Sequence, residues 1–165
     1  MTDTNTIILC PGQGAQAVGM GQGWFNASPE AKATFDEAND TLGFDLAALC
    51  FDGPADDLNR TDNAQCAIYT ASVACFRALK QNGSIDTFTA TAGLSLGEFT
   101  ALHLAGCYSF ADGLKLVRLR GEAMQAAAEA SPSSMVAITG DVSEAGIEVI
   151  CDKVNDALPQ EAIMV

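Results

Sequence analysis

Residues 93–97 read Gly-Leu-Ser-Leu-Gly, with the run Phe88–Ala92 before them and a helix-like segment from Leu96 to Ala105 after them. Strand, G-x-S-x-G, helix is the pattern of a nucleophile elbow. The serine there occupies a strained turn, and the flanking glycines let strand and helix approach where a Cβ would clash. Ser95 is thus a candidate nucleophile. The backbone N–H of Leu96, at a helix N-terminus, is a candidate donor to a developing oxyanion. The competing reading of Ser95 is a structural turn between glycines.

A second loop, Pro11-Gly12-Gln13-Gly14-Ala15-Gln16, also closes a strand-like run. Gly12, Gly14 and Ala17 match the G-x-G-x-x-A fingerprint of dinucleotide binding, which needs an acidic residue about 20 positions on, at the end of the next strand. The acids found there, Asp36 and Glu37, lie inside a helical pattern instead. The better reading is a loop whose backbone N–H groups lie beside the serine and supply a second oxyanion donor.

A serine nucleophile needs a proton acceptor, and the only histidine is His103. Eight residues along one helix is a rise of about 12 Å, beyond hydrogen-bond reach. Either the base lies outside this chain or a carboxylate serves. Arg120 is the other informative residue. It sits in the stripe Gly113, Val117, Arg120, Met124, Ala127, which keeps helical spacing and is otherwise apolar. A cation there requires an anion, either an internal Asp or Glu or the carboxylate of a substrate held by the guanidinium fork. Lys115 and Arg118, with Glu122, read as solvated surface.

The elements that must position these groups follow from periodicity and punctuation. Thr6–Cys10 reads as a buried strand, and Ser28-Pro29 opens a helix that Gly43 stops. Asp52-Gly53-Pro54 is a turn. Ile68, Ala71, Cys75 and Leu79 recur at helical spacing across Ala64–Gln81, and Gly83 ends that helix. Phe88–Ala92 is a second strand, expected to be a central parallel one with Pro11–Gln16 beside its tip. Ser109–Asp112 resembles a capping box for a helix to about Ala128. A strand over Ser134–Thr139, a helix over Ser143–Ala157 and a strand starting at Ala162–Val165 complete the order. Such alternation predicts an α/β fold with parallel strand pairs. A strand that stops at the last residue reads as a chain cut inside a domain.

Composition bounds the function. A chain of 165 residues, 48% hydrophobic and 18% charged, supports one globular domain. Its net charge of −13, with eight Lys and Arg, argues against nucleic acid as a partner. No apolar run is long enough to span a membrane, and the N-terminus lacks the basic and apolar regions of a signal peptide. The six cysteines contain no C-x-x-C pair, so no metal site is expected, and a reducing cytoplasm is the expected setting.

Together, PGQGAQ with VGMG (Pro11–Gly21), DLNRTDNAQCAIYTAS (Asp57–Ser72), GLSLGE (Gly93–Glu98) and LRGEAMQ (Leu119–Gln125) resemble the malonyl-CoA:acyl carrier protein transacylases of fatty-acid synthesis. They also resemble the acyltransferase domains of polyketide synthases. The likeness runs along the whole chain but matches only about the first half of such a protein. It implies an α/β-hydrolase-like parallel-sheet core over residues 1–130, of patatin and acyltransferase type. Residues 131–165 would begin a ferredoxin-like subdomain.

The resemblance implies Ser95 as the acyl-accepting nucleophile and an oxyanion hole from the backbone N–H groups of Gln13 and Leu96. It implies Arg120 as the partner of the malonyl carboxylate, with Gln65 and Met124 in the substrate pocket. Malonyl-CoA and acyl carrier protein would be the partners, the coenzyme A thioester being a substrate, with no tightly bound cofactor. Two departures stand out. Leu94 replaces the family's histidine before the serine, where altered packing is expected, and the family's catalytic histidine would fall beyond Val165. The isolated chain is therefore expected to be inactive. The alternatives are a patatin-like lipid acyl hydrolase using a Ser–Asp pair, and a non-catalytic fragment that binds carrier protein.

Overall fold

The structure, a computed structural model, describes residues 6–131, 136 and 138–158. The chain divides into two compact units, Met1–Ser131 and Pro132–Val165. In the first, strands β1 (Ile7–Cys10) and β2 (Ala90–Gly93) pair in parallel, Ile7 opposite Ala90 and Cys10 opposite Gly93. The strand expected over Phe88–Ala92 is shifted towards the elbow. Phe88 instead packs edge-on against Phe76, with ring centroids 5.7 Å apart, and Thr89 N–H donates to the Thr6 carbonyl.

The same unit carries the helices α1 (Gln22–Ala27), α2 (Pro29–Leu42), α3 (Leu46–Asp52), α4 (Ala55–Asn59), α5 (Thr61–Gln81), α6 (Leu96–Leu104) and α7 (Phe110–Ala130), of which α6 packs on both strands. Helix α2 starts and stops where expected. Ser28 Oγ accepts from Ala31 N–H, Pro29 occupies N1, and Gly43 takes the left-handed cap at φ 76°. Ser109 caps α7 by accepting from Asp112 N–H and donates its own hydroxyl proton to the Asp112 carboxylate at 2.6 Å. The short helices α1, α3 and α4 were not anticipated, and α5 begins at Thr61, before Ala64.

Helix α5 is the axis of the core. Ile68, Tyr69 and Val73 are buried in one cluster with Phe35 of α2, Leu96 of α6, and Leu114 and Val117 of α7. At Gly121 of α7 a Cβ would sit 2.8 Å from Asp62 Cα of α5, so glycine permits this close approach of the helices on which Gln65 and Arg120 stand.

In the second unit, Ser143 Oγ accepts from Gly146 N–H and opens α8 (Glu144–Ala157). The expected strand Ser134–Thr139 falls largely outside the described residues; Val136, Ile138 and Thr139 belong to no regular element. The strand expected from Ala162 lies wholly outside them. Among the described residues no helix is long and apolar enough to cross a membrane, and no cluster of potential metal ligands occurs.

Candidate active site

β2 ends at Gly93, and the chain reverses through Leu94 and Ser95 into α6. Ser95 has φ 56° and ψ −110°, and it is the only non-glycine with positive φ among the described residues. Such a conformation costs on the order of 1–3 kcal/mol and persists only where its surroundings impose it. The glycines explain how. A Cβ on Gly93 would collide with the carbonyl of Gly97, and one on Gly97 with the carbonyl oxygen of Cys10. Strand, turn and helix are thus pressed together around the serine. Leu94 is 83% exposed, and its carbonyl accepts from Gly97 N–H. Leu96 opens α6, so its N–H has no acceptor within the helix.

Arg120 comes to this turn from α7. Its Nη2 donates to Ser95 Oγ at 2.9 Å and its Nη1 to Gln65 Oε1 at 2.6 Å. The guanidinium lies 5.6 Å from the centroid of the Phe99 ring, over its face. No carboxylate pairs with Arg120 among the described residues, whereas Arg60, Arg77 and Arg118 each have one. Of the two anions open to this arginine in sequence, the internal one is absent there.

Gln65 is fully buried, and its Nε2 donates to Gln13 Oε1 at 3.4 Å and to Met124 Sδ at 3.3 Å. Gln13 Nε2 in turn donates to Thr61 Oγ1 at 3.5 Å. One hydrogen-bonded group therefore joins Ser95, Arg120, Gln65, Gln13 and Met124, five of the six residues singled out from sequence; Leu96 follows Ser95 in the chain. Sequence reasoning missed Phe99 and Thr61. Phe99 stands one helical turn after Ser95, a spacing that puts it on the same face of α6.

Arg118 corrects an expectation. It pairs with Glu122 at 2.6 Å as a surface arginine would, yet it is half-buried, bonding Asn63 Oδ1 at 3.2 Å and lying 3.7 Å from Asp62. The start of α5 packs over it, a contact that the periodicity of α7 alone does not contain.

His103 packs, half-buried, against core rings rather than at the elbow. Its Nδ1 lies 3.0 Å from the Tyr108 carbonyl oxygen, and its ring contacts Tyr69, Tyr108 and Phe110. Burial holds its pKa below the ordinary 6.5. The unfolded chain then takes up a proton near pH 6.5 while the folded one still resists it. Stability should be full above that pH and decline as pH falls from about 6.5 towards the lowered folded value. Urea midpoints at pH 7.5 and 5.5 measure this, and His103→Gln should shrink the difference between them.

The thiols offer no rival nucleophile at the elbow. Burial raises Cys10 and Cys75, and pushes Cys50 and Cys66 up to about 12, so none of these four is a thiolate at neutral pH.

A strained serine on a strand–helix turn thus faces an arginine that has no carboxylate partner among the described residues. The acyl transferase domain family matches residues 7–160, and the chain belongs to that family. It is 45% identical over 149 residues to the malonyl CoA-acyl carrier protein transacylase of Bacillus subtilis, covering 90% of this chain and 46% of that protein. With the Escherichia coli K12 transacylase it shares 42% over 150 residues, covering 91% of this chain and 48% of that protein. Among solved structures, a malonyl-transacylase in complex with its type II polyketide synthase acyl-carrier protein superimposes with a TM-score of 0.80 at 38% identity. That match covers 93% of this chain and 49% of the other. The acyl-carrier-protein S-malonyltransferase of Bartonella henselae also gives 0.80, at 36% identity, with coverage of 93% and 49%. The chain spans about half the length of the curated relatives it matches.

Proposed function

We propose that this chain is the nucleophile-bearing part of an [acyl-carrier-protein] S-malonyltransferase acting in fatty-acid or polyketide synthesis. The observation that carries the reading is the bond from Arg120 Nη2 to Ser95 Oγ, made by a guanidinium with no carboxylate partner among the described residues. A malonyl thioester has its electrophilic carbonyl and its carboxylate one methylene apart. A nucleophile and a free cation in hydrogen-bond contact match that spacing.

In the first half-reaction Ser95 Oγ attacks the thioester carbonyl, giving up its proton as the C–O bond forms. The N–H groups of Leu96 and Gln13 receive the tetrahedral oxyanion. Collapse breaks the C–S bond, coenzyme A leaves as the thiol, and the malonyl group remains as a seryl ester. In the second half-reaction the phosphopantetheine thiol of a carrier protein attacks that ester and releases Ser95. Arg120 holds the malonyl carboxylate throughout, exchanging Ser95 Oγ for it, and Met124 lines the pocket beside Gln65. Among the described residues no carboxylate or imidazole bonds Ser95 Oγ. The base is therefore assigned to the half of the domain that the relatives carry in addition, which also weakens the Ser–Asp hydrolase reading.

The sheet supports the same assignment. β1 pairs with β2 along one edge, and a groove of about 450 Å³ runs beside all four β1 residues, walled by Cys75, Phe76 and Leu79 of α5. Ile7 and Leu9 are 58% and 77% exposed. An apolar strand beside an apolar groove is the edge of a wider parallel sheet of α/β-hydrolase type. The second unit is read as the beginning of the ferredoxin-like subdomain.

The test uses a completed protein, this chain joined to the half that its relatives carry in addition. Brief mixing with malonyl-CoA should add one malonyl mass on the peptide containing Gly93–Glu98, and a carrier protein bearing phosphopantetheine should remove it. Carrier binding without any adduct would leave the non-catalytic reading in its place.

A further inference from the structure

Arg120 lies beside a fully buried side chain that is neutral. The half-buried Arg77 and Arg118 are each matched by an acid, whereas the half-buried Arg120 has the neutral Gln65 at 2.6 Å from Nη1. We propose that Gln65 is a positioning residue: its amide aims the guanidinium at Ser95 while leaving the positive charge uncompensated for a substrate carboxylate. The proposal rests on the reading of Arg120 as the carboxylate anchor.

The direction of the hydrogen bonds supports it. A guanidinium only donates, so the Gln65 carbonyl must face Arg120 and its NH₂ must face away. The NH₂ then donates to Gln13 Oε1, and the Gln13 NH₂ donates to Thr61 Oγ1. Each amide in this relay has one allowed orientation, set from the arginine outwards. Gln65 thereby ties the cation to the loop that carries the Gln13 N–H. Phe99, on the remaining side of the guanidinium, contributes a ring face and again no formal charge.

Glutamate at 65 has nearly the same shape and the opposite consequence. Its carboxylate would form a charge-assisted pair with Arg120 in a buried setting, and a substrate carboxylate would have to displace it. It would also lose the donor to Gln13, which affects every acyl-CoA alike. The informative quantity is therefore the ratio of affinities for malonyl-CoA and acetyl-CoA.

Calorimetric binding of both thioesters to the completed protein, with Ser95→Ala in every sample to block turnover and wild type meaning the natural residues at 65 and 120, tests the idea. The wild type should prefer malonyl-CoA by about tenfold or more, as a single lost charge-assisted contact implies. Gln65→Glu and Arg120→Ala should both bring the ratio close to one. Gln65→Met, which removes the aiming bond and the donor to Gln13 but adds no charge, should give a ratio between wild type and Gln65→Glu whatever loss the two ligands share, and it carries the test should Gln65→Glu not fold. Loss of the preference in Arg120→Ala but not in the Gln65 variants would overturn the role of Gln65 and leave the anchor intact. No preference in the wild type would instead overturn the anchor itself. Equal weakening of both ligands in Gln65→Met would make Gln65 a packing residue only.

Discussion

Ser95→Ala in the completed protein is expected to abolish the malonyl adduct and to lower transfer to a carrier thiol by roughly 10⁴- to 10⁶-fold, the range found when serine enzymes lose their nucleophile. Affinity for malonyl-CoA should survive. Arg120 loses its bond to Ser95 Oγ but keeps the one to Gln65, 2.6 Å away, so the cation stays in place. Loss of acylation with retained binding separates a missing nucleophile from a collapsed pocket. Ser95→Gly should be equally inactive yet more stable by about 1 kcal/mol, because glycine adopts φ 56° without the strain a Cβ imposes. Intact-protein mass spectra and urea unfolding of the two variants provide both readouts. An adduct that persists on a cysteine of Ser95→Ala would move the nucleophile elsewhere, against the raised pKa values of the buried thiols.

The elbow was legible in sequence because its causes are local. Glycines two residues either side of a serine, after an apolar run and before a helix, leave few conformations, and the positive φ of Ser95 is the one that pattern selects. Arg120 was legible for a different reason: a cation in an apolar stripe is anomalous within one helix, whatever packs against it. The internal-carboxylate alternative needed coordinates to answer.

What could not be read depends on contacts between elements. Arg118 lies off the stripe of α7, and only the approach of Asp62 and Asn63 from α5 makes it half-buried. Gln65 matched a family position, but its hydrogen bonds span 52 to 59 residues of sequence and leave no periodic trace. The helices α1, α3 and α4, of six, seven and five residues, are too short to show an amphipathic period. The β2 boundary moved because Phe88 found an aromatic partner on α5, which no strand propensity contains.

Arg120→Ala should depress malonyl transfer in the completed protein by roughly 10²–10³-fold while acetyl transfer holds steady or rises. Truncating one partner of a desolvated, hydrogen-bonded charge pair typically costs about 2–5 kcal/mol, and about 1.4 kcal/mol is a factor of ten. The malonyl group bears a carboxylate and acetyl does not, so only the first substrate incurs that loss. In the ligand-free protein the bond from Nη2 to Ser95 Oγ must be exchanged for the carboxylate, and removing the arginine also frees the hydroxyl. That second effect acts on both substrates and works in favour of acetyl. Arg120→Lys should recover malonyl transfer only in part. An ammonium keeps the charge, but it cannot donate to Gln65 Oε1 and to the substrate in the parallel geometry of a planar fork. The decisive measurement is the ratio of malonyl to acetyl acylation rates in the wild type and both variants. Were the two rates to fall together in Arg120→Ala, the arginine would be holding the elbow rather than reading the substrate.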